Sequence, residues 1–296
     1  MAARHGRHLV DKLETSSAPY KKFRLRKVAG ALGAEVIGVD LSQPIDEALK
    51  AELRRAFLEN LVLVLRGQRM TERQQIDFTS VFGKVEQHPL YRSAMIEGYP
   101  DILVLEHKKG QFFNGRNDVW HTDLTFRETP PMLGLLYCRA AEEGSGDTLF
   151  SNMHAAYDAL SPGLKRFVEP MQAVHSAEFL RARNNQGSYN VPIAEIPEPV
   201  VHPVIRTHPE TGRKALFVNG AFATNFVGWT REESAPLLKQ LAEMANAHQR
   251  IYRHRWRPDD VVLWDQRATQ HYVAIDYGPD VHRRMHRTTA SGDRPF

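Results

Sequence analysis

The sequence predicts a mainly β protein: a β-sandwich or double-sheet jelly roll with helices packed outside it. Two observations lead there. Short β-branched and aliphatic runs recur at Leu61–Leu65, Ile102–Leu105, Leu133–Tyr137, Val200–Arg206, Ala215–Asn219, Arg250–Trp256 and Val261–Trp264, with turn residues between them. Helical periodicity is confined to a few stretches, too few to supply the crossovers of a doubly wound parallel sheet. No repeat, low-complexity stretch or linker divides the chain, so one domain over residues 20–296 is expected behind a flexible arm of residues 1–19.

Each helix has a local reason. Asp46–Asn60 carries Leu49, Leu53, Ala56 and Phe57 at helical spacing, which gives one apolar face. Thr71 is placed to cap a helix running through Phe82, with Gly83 to end it. Thr230 and Glu233 form a capping-box pattern that opens a helix to about His248. Ser151 or Asn152 opens another, ending near Ser161-Pro162. Between two strand-like runs, the segment RTHPETGRKALFVN places PETG where a hairpin turn belongs.

Composition narrows the function classes. The net charge is +4, yet Lys and Arg are interspersed with Asp and Glu and no nucleic-acid reader motif is present, so no nucleic-acid partner is expected. The longest aliphatic run, Leu61–Leu65, is far below the roughly 20 residues of a membrane span. The basic, polar N-terminus lacks a signal peptide's apolar stretch, and a single cysteine, Cys138, permits no internal disulfide. A cytoplasmic protein with no membrane partner is expected.

The chemistry lies in a few polar residues. Non-haem iron(II) oxygenases use two imidazoles and one carboxylate on one face of the metal, leaving adjacent positions open. His121-Thr122-Asp123, on or beside a strand, places two such donors on one side. With 14 histidines in the chain, chance alone readily supplies such a pair, and His208-Pro209-Glu210 is a decoy assigned to the hairpin turn. The C-terminal part adds weight. His271 follows the run VVLW, and then come Arg283 and Arg287. In a strand over Arg283–Thr289, alternation aims Arg283, Met285 and Arg287 at one face, with Arg284 and His286 on the other. Two inward guanidiniums near a metal make sense as receptors for carboxylate or sulfonate.

WHTDLTF (120–126), GDTLFSN (146–152), HPVIRTHPETGRKALFVN (202–219), WDQRATQHY (264–272) and RRMHR (283–287) together resemble the taurine dioxygenase family of iron(II)/2-oxoglutarate-dependent dioxygenases. The likeness is collinear from about Phe23 to Phe296. It implies a double-stranded β-helix core of the cupin-like, jelly-roll kind, with His121, Asp123 and His271 as iron(II) ligands. Thr148 and Arg283 are implied as the pair holding the distal carboxylate of 2-oxoglutarate, with O2 as second cosubstrate. For the substrate it implies His88, Tyr91, Asn117, Phe222 and Arg287. Asp123 stands where related halogenases have Gly or Ala, so oxygenation is expected rather than halide transfer.

The implied reaction hydroxylates a small anion, taurine or a related sulfonate, releasing sulfite and an aldehyde; an alkyl sulfate, a phenoxyalkanoate or another small carboxylate is the alternative. The family also points to a homo-oligomer. Departures bear on the substrate. Residues 107–116 and 181–198 do not follow the taurine enzymes closely, Gln266 replaces the usual Asn, and one extra residue lies between His271 and Arg283. Two other classes remain open: a non-oxidative metal-dependent cupin enzyme, and a silent anion-binding or scaffold protein.

Overall fold

In the computed structural model the described residues are 19–91, 94–110, 119–178, 180 and 197–296. The expected arm therefore lies outside them over residues 1–18, as do residues 111–116 and 181–196 of the two divergent segments.

The strand Val62–Leu65, sequence VLVL, is buried at every position because both faces of its sheet are covered. That nine-stranded sheet runs Arg24–Lys27, Ala34–Ile37, Val62–Leu65, Val261–Asp265, Leu133–Ala140, Arg283–Ala290, Tyr99–His107, Met95–Ile96, with Val85–Glu86 pairing beside Arg283–Ala290. Its pairings are antiparallel except that of Ala34–Ile37 with Val62–Leu65. On one face Leu63, Leu65, Leu133, Leu135 and Leu263 pack beneath Leu53, Phe57 and Phe78 of the helices Glu47–Asn60 and Glu72–Ser80. On the other face Val64, Leu136, Cys138, Val262, Trp264 and Met285 meet Phe150 of a second sheet. That sheet has the order Ile251–His254, Thr148–Asn152, Thr269–Val273. The expected jelly-roll core is the space between the two sheets.

A third layer closes one side. The small sheet Val200–Pro203, Gln172–His175, Ala223–Phe226 and the hairpin of Ile205–Thr207 with Lys214–Leu216 pack against the helices Met153–Asp158 and Arg231–Ala245. The hairpin places His208, Pro209 and Glu210 in its turn, as expected.

Several boundaries differ from expectation. Val200–Arg206 is two strands, because Pro203 has no N–H for a ladder and Val204 instead donates to Met171 O at 3.0 Å. The helix capped by Thr71 ends at Ser80, where Val81 and Phe82 tighten onto Phe78 O and Thr79 O. The helix opened by the Thr230–Glu233 capping box stops at Ala245, with Asn246 as its C-cap. Asn152 caps a helix that ends at Asp158, and Ser161 caps a separate one, Pro162–Val168. Thr148–Asn152 and Thr269–Val273 are polar enough to have escaped the strand reading altogether.

A candidate metal centre with two buried arginines

His121 and His271 form an isolated antiparallel bridge, each N–H donating to the other's carbonyl at 3.0 and 2.8 Å. Side chains of such a directly opposed pair stand on the same side, and their ring centroids are 4.1 Å apart. Asp123 follows not in a strand but in a turn, where Leu124 adopts φ +51°. The turn swings the carboxylate back toward both rings: Asp123 Oδ1 is 3.6 Å from His121 Nε2, and Oδ2 is 3.8 Å from His271 Nε2. Among the described residues this is the one His/Cys/Asp/Glu group that can hold a metal, with all three ligand atoms within 4.8 Å of one another and every residue buried.

The local chemistry suits metal binding. His121 Nδ1 donates to Val119 O at 2.7 Å, which leaves Nε2 with its lone pair toward Asp123. Burial, followed by the neighbouring His121, pushes His271 down to about 3, so at neutral pH it is the uncharged imidazole that ligation requires. Burial works against ionisation of Asp123, but the Arg287 cation overrides it and holds the carboxyl well below its usual range. Arg287 Nη2 lies 2.7 Å from Asp123 Oδ2, an ion pair that lacks hydrogen-bond alignment. In the sequence, Gln266 stands out only as a departure from the usual Asn. In the structure its Oε1 accepts from Asp123 N–H at 3.2 Å while its Nε2 donates to Asp123 Oδ2. One amide thus grips both ends of the residue. A shorter Asn would have to approach more closely to do so.

The Arg283–Ala290 strand brings Arg283, Met285 and Arg287 to the face that meets the smaller sheet, with Met285 in that core. Arg283 is buried, and its Nε and Nη2 have no hydrogen-bond partner among the described residues. Its stem crosses Gly146, where a Cβ would stand 2.9 Å from both Cδ and Nε. Thr148, two residues on, is fully buried and accepts from Trp256 Nε1 at 2.9 Å. A buried guanidinium with unused donors is costly unless an anion meets it. This cradle therefore fits a carboxylate.

His88 is buried and stacked on Tyr91 at 4.4 Å. Its Nδ1 accepts from the N–H groups of Leu90 and Tyr91 at 3.2 and 3.3 Å, so the ring proton sits on Nε2. Burial, with Arg287 adding to it, lowers His88 to about 3 and keeps it neutral. The hairpin turn uses the same device. His208 Nδ1 accepts from Glu210 and Thr211 N–H at 3.2 Å each, and its Nε2 lies 3.0 Å from the buried carboxylate of Asp265. In the His208 turn the remaining ring N–H thus faces an anion. Phe222 is edge-on to His121 at 6.4 Å and to Phe126 at 5.1 Å. Asn117 lies outside the described residues.

A sequence model of the family described as "Taurine catabolism dioxygenase TauD, TfdA family" matches residues 24–289. The chain belongs to this family. It is an enzyme, an iron(II)- and 2-oxoglutarate-dependent dioxygenase. It is 35% identical over 283 residues to an alkylsulfatase of Acinetobacter baylyi, spanning 93% of this chain and 87% of that one. With an alpha-ketoglutarate-dependent sulfate ester dioxygenase of Pseudomonas putida it shares 31% identity over 293 residues, 95% of this chain and 93% of the relative. The crystal structure of a taurine dioxygenase from Burkholderia xenovorans superposes with a TM-score of 0.78 at 31% identity, covering 93% of this chain and 91% of the other. Among the described residues no helix is long and apolar enough to cross a membrane.

Proposed function

We propose that this dioxygenase hydroxylates a small organic sulfate or sulfonate at the carbon bearing the sulfur-containing group. His121, Asp123 and His271 hold the iron, and Thr148 and Arg283 take the distal carboxylate of 2-oxoglutarate. Arg287 and the Nε2–H of His88 receive the substrate's anionic head, and Phe222 walls its carbon chain. With iron(II) and 2-oxoglutarate bound, O2 would be the oxidant: one of its oxygen atoms would go to 2-oxoglutarate, which yields succinate and carbon dioxide, and the other into a substrate C–H bond. The chain's own contribution is orientation and charge complementarity. A hydroxylated sulfate ester collapses to an aldehyde and sulfate, and a hydroxylated sulfonate to an aldehyde and sulfite.

The observation that carries this reading is the placing of two inward arginines on one strand. Arg287 reaches the metal-site carboxylate, and Arg283, four residues away along the strand, is roughly 13 Å distant. The spacing keeps two anions apart with the metal site beside one of them. On the side away from His121, Phe222 belongs to an apolar cluster with Leu90, Leu124, Phe126, Ala177, Leu180 and Ala221. That favours an uncharged alkyl or aryl body over the ammonium of taurine. A homo-oligomer and a cytoplasmic location complete the proposal. Exposed Phe167 beside Trp229 supports the first, and the single, buried Cys138 supports the second.

The test is succinate release measured across alkyl sulfates, alkyl sulfonates, taurine and phenoxyalkanoates, with sulfate, sulfite and aldehyde assayed. The expected result is turnover of alkyl sulfates or sulfonates well above taurine. Turnover confined to phenoxyalkanoates would overturn the substrate assignment, and loss-free turnover by Asp123→Ala would overturn the metal site.

A further inference from the structure

Trp256 is nearly fully buried and stands outside any strand, two residues beyond the end of Ile251–His254. His254 is the cross-strand partner of Thr148, so the chain brings Trp256 alongside that threonine. The His254 ring meets the indole edge-on at 4.5 Å and fixes its plane. The indole N–H is a donor only, so in the 2.9 Å contact the Thr148 hydroxyl oxygen must be the acceptor. Its proton is then left to donate, and among the described residues no acceptor takes it. Arg283, whose stem crosses Gly146 two residues before Thr148, has its Nε and Nη2 likewise unspent among the described residues.

We propose that Trp256 is a positioning residue for the cosubstrate: its N–H locks the Thr148 hydroxyl rotor so that the proton points at the distal carboxylate of 2-oxoglutarate. The proposal rests on the reading of Thr148 and Arg283 as that carboxylate's receptor. A hydroxyl free to rotate spends part of its time with its lone pairs, not its proton, toward the anion. The indole removes that alternative, and donation into the oxygen polarises the O–H further. The sequence offers Trp256 no motif of its own, since its partner lies 108 residues away.

Iron(II)-loaded protein is titrated anaerobically with 2-oxoglutarate and, separately, with pyruvate, which chelates through the same 2-oxo acid group but has no distal carboxylate. The visible charge-transfer band reports each dissociation constant. Trp256→Phe weakens 2-oxoglutarate roughly five- to tenfold, leaves pyruvate within about twofold, and raises the KM for 2-oxoglutarate rather than lowering kcat. Benzothienylalanine at position 256, which keeps the shape and lacks the N–H, gives the same selective loss where Phe disturbs folding. In a Thr148→Val background, Trp256→Phe costs nothing further. Equal weakening of both 2-oxo acids, an additive loss in that background, or no loss with benzothienylalanine overturns the proposal. Arg283→Ala separates the two layers. If it fails to weaken 2-oxoglutarate selectively over pyruvate, the receptor assignment itself falls.

Discussion

Arg287 Nη2 lies 2.7 Å from Asp123 Oδ2, so the residue proposed to receive the substrate's anion also neutralises the carboxylate proposed to bind iron. Its substitution separates the two roles. Arg287→Ala raises the substrate KM by about 30-fold or more, the scale of losing one partner of a buried charge pair. Metal affinity does not fall, because the change removes a cation from beside a dication. Calorimetric titration with Mn(II) checks this, and a tenfold loss of metal affinity would refute it.

His88 is expected to act as a neutral donor throughout the working pH range. With its pKa near 3, kcat/KM carries no inflection near the ordinary histidine value of about 6.5 from this residue. His88→Ala raises the substrate KM roughly tenfold, whereas His88→Gln, which keeps an N–H, loses less. An inflection near 6.5 that disappears in His88→Gln would show that the ring titrates there.

Gly134 is opposite Trp264 in the sheet, and a Cβ there would stand 2.3 Å from Trp264 Cζ2. The indole in turn packs against His271, with centroids 5.0 Å apart. Gly134→Ala is therefore expected to cost about 1–3 kcal/mol in overpacking and to weaken Mn(II) binding by displacing His271. Gly163→Ala is the control. Nothing lies within 4 Å of its added methyl, and in the helix Pro162–Val168 it gains up to about 1 kcal/mol. Urea melts of the two variants with and without Mn(II) read both effects.

Acid destabilises the apoprotein partly through His154. Burial holds its pKa near 4 despite the hydrogen bond to Lys214 O at 2.8 Å. Since the unfolded value is about 6.5, the unfolded chain takes the proton first as pH falls. The contribution is fully present above about 6.5 and is lost toward pH 4, on the order of 3 kcal/mol at most. His154→Asn keeps a donor for Lys214 O, lowers stability at pH 7.5, and flattens its fall between pH 6.5 and 5. Parallel stability–pH curves for wild type and variant would exclude the effect.

How much of this was legible beforehand follows from the range of each interaction. Helix starts at Thr71 and Thr230 were readable because a cap bonds to an N–H only three residues away, as each does here. The shared face of Arg283, Met285 and Arg287 was readable too, since strand alternation is a property of the backbone alone. The polar strands Thr148–Asn152 and Thr269–Val273 were not, because their burial comes from the sheet opposite rather than from their own pattern.

For the metal site, residue type and order in the sequence nominated His121, Asp123 and His271 with Arg283 and Arg287, and the family resemblance added Thr148. Only the tertiary structure decided that His121 and His271 pair through their backbones, and that a turn rather than a strand aims Asp123 at them. It also decided the grip of Gln266 on Asp123, the ion pair of Arg287 with the same carboxylate, and the indole behind Thr148. These contacts join residues more than 100 positions apart. No local propensity encodes such contacts; they arise when two sheets close over a common core.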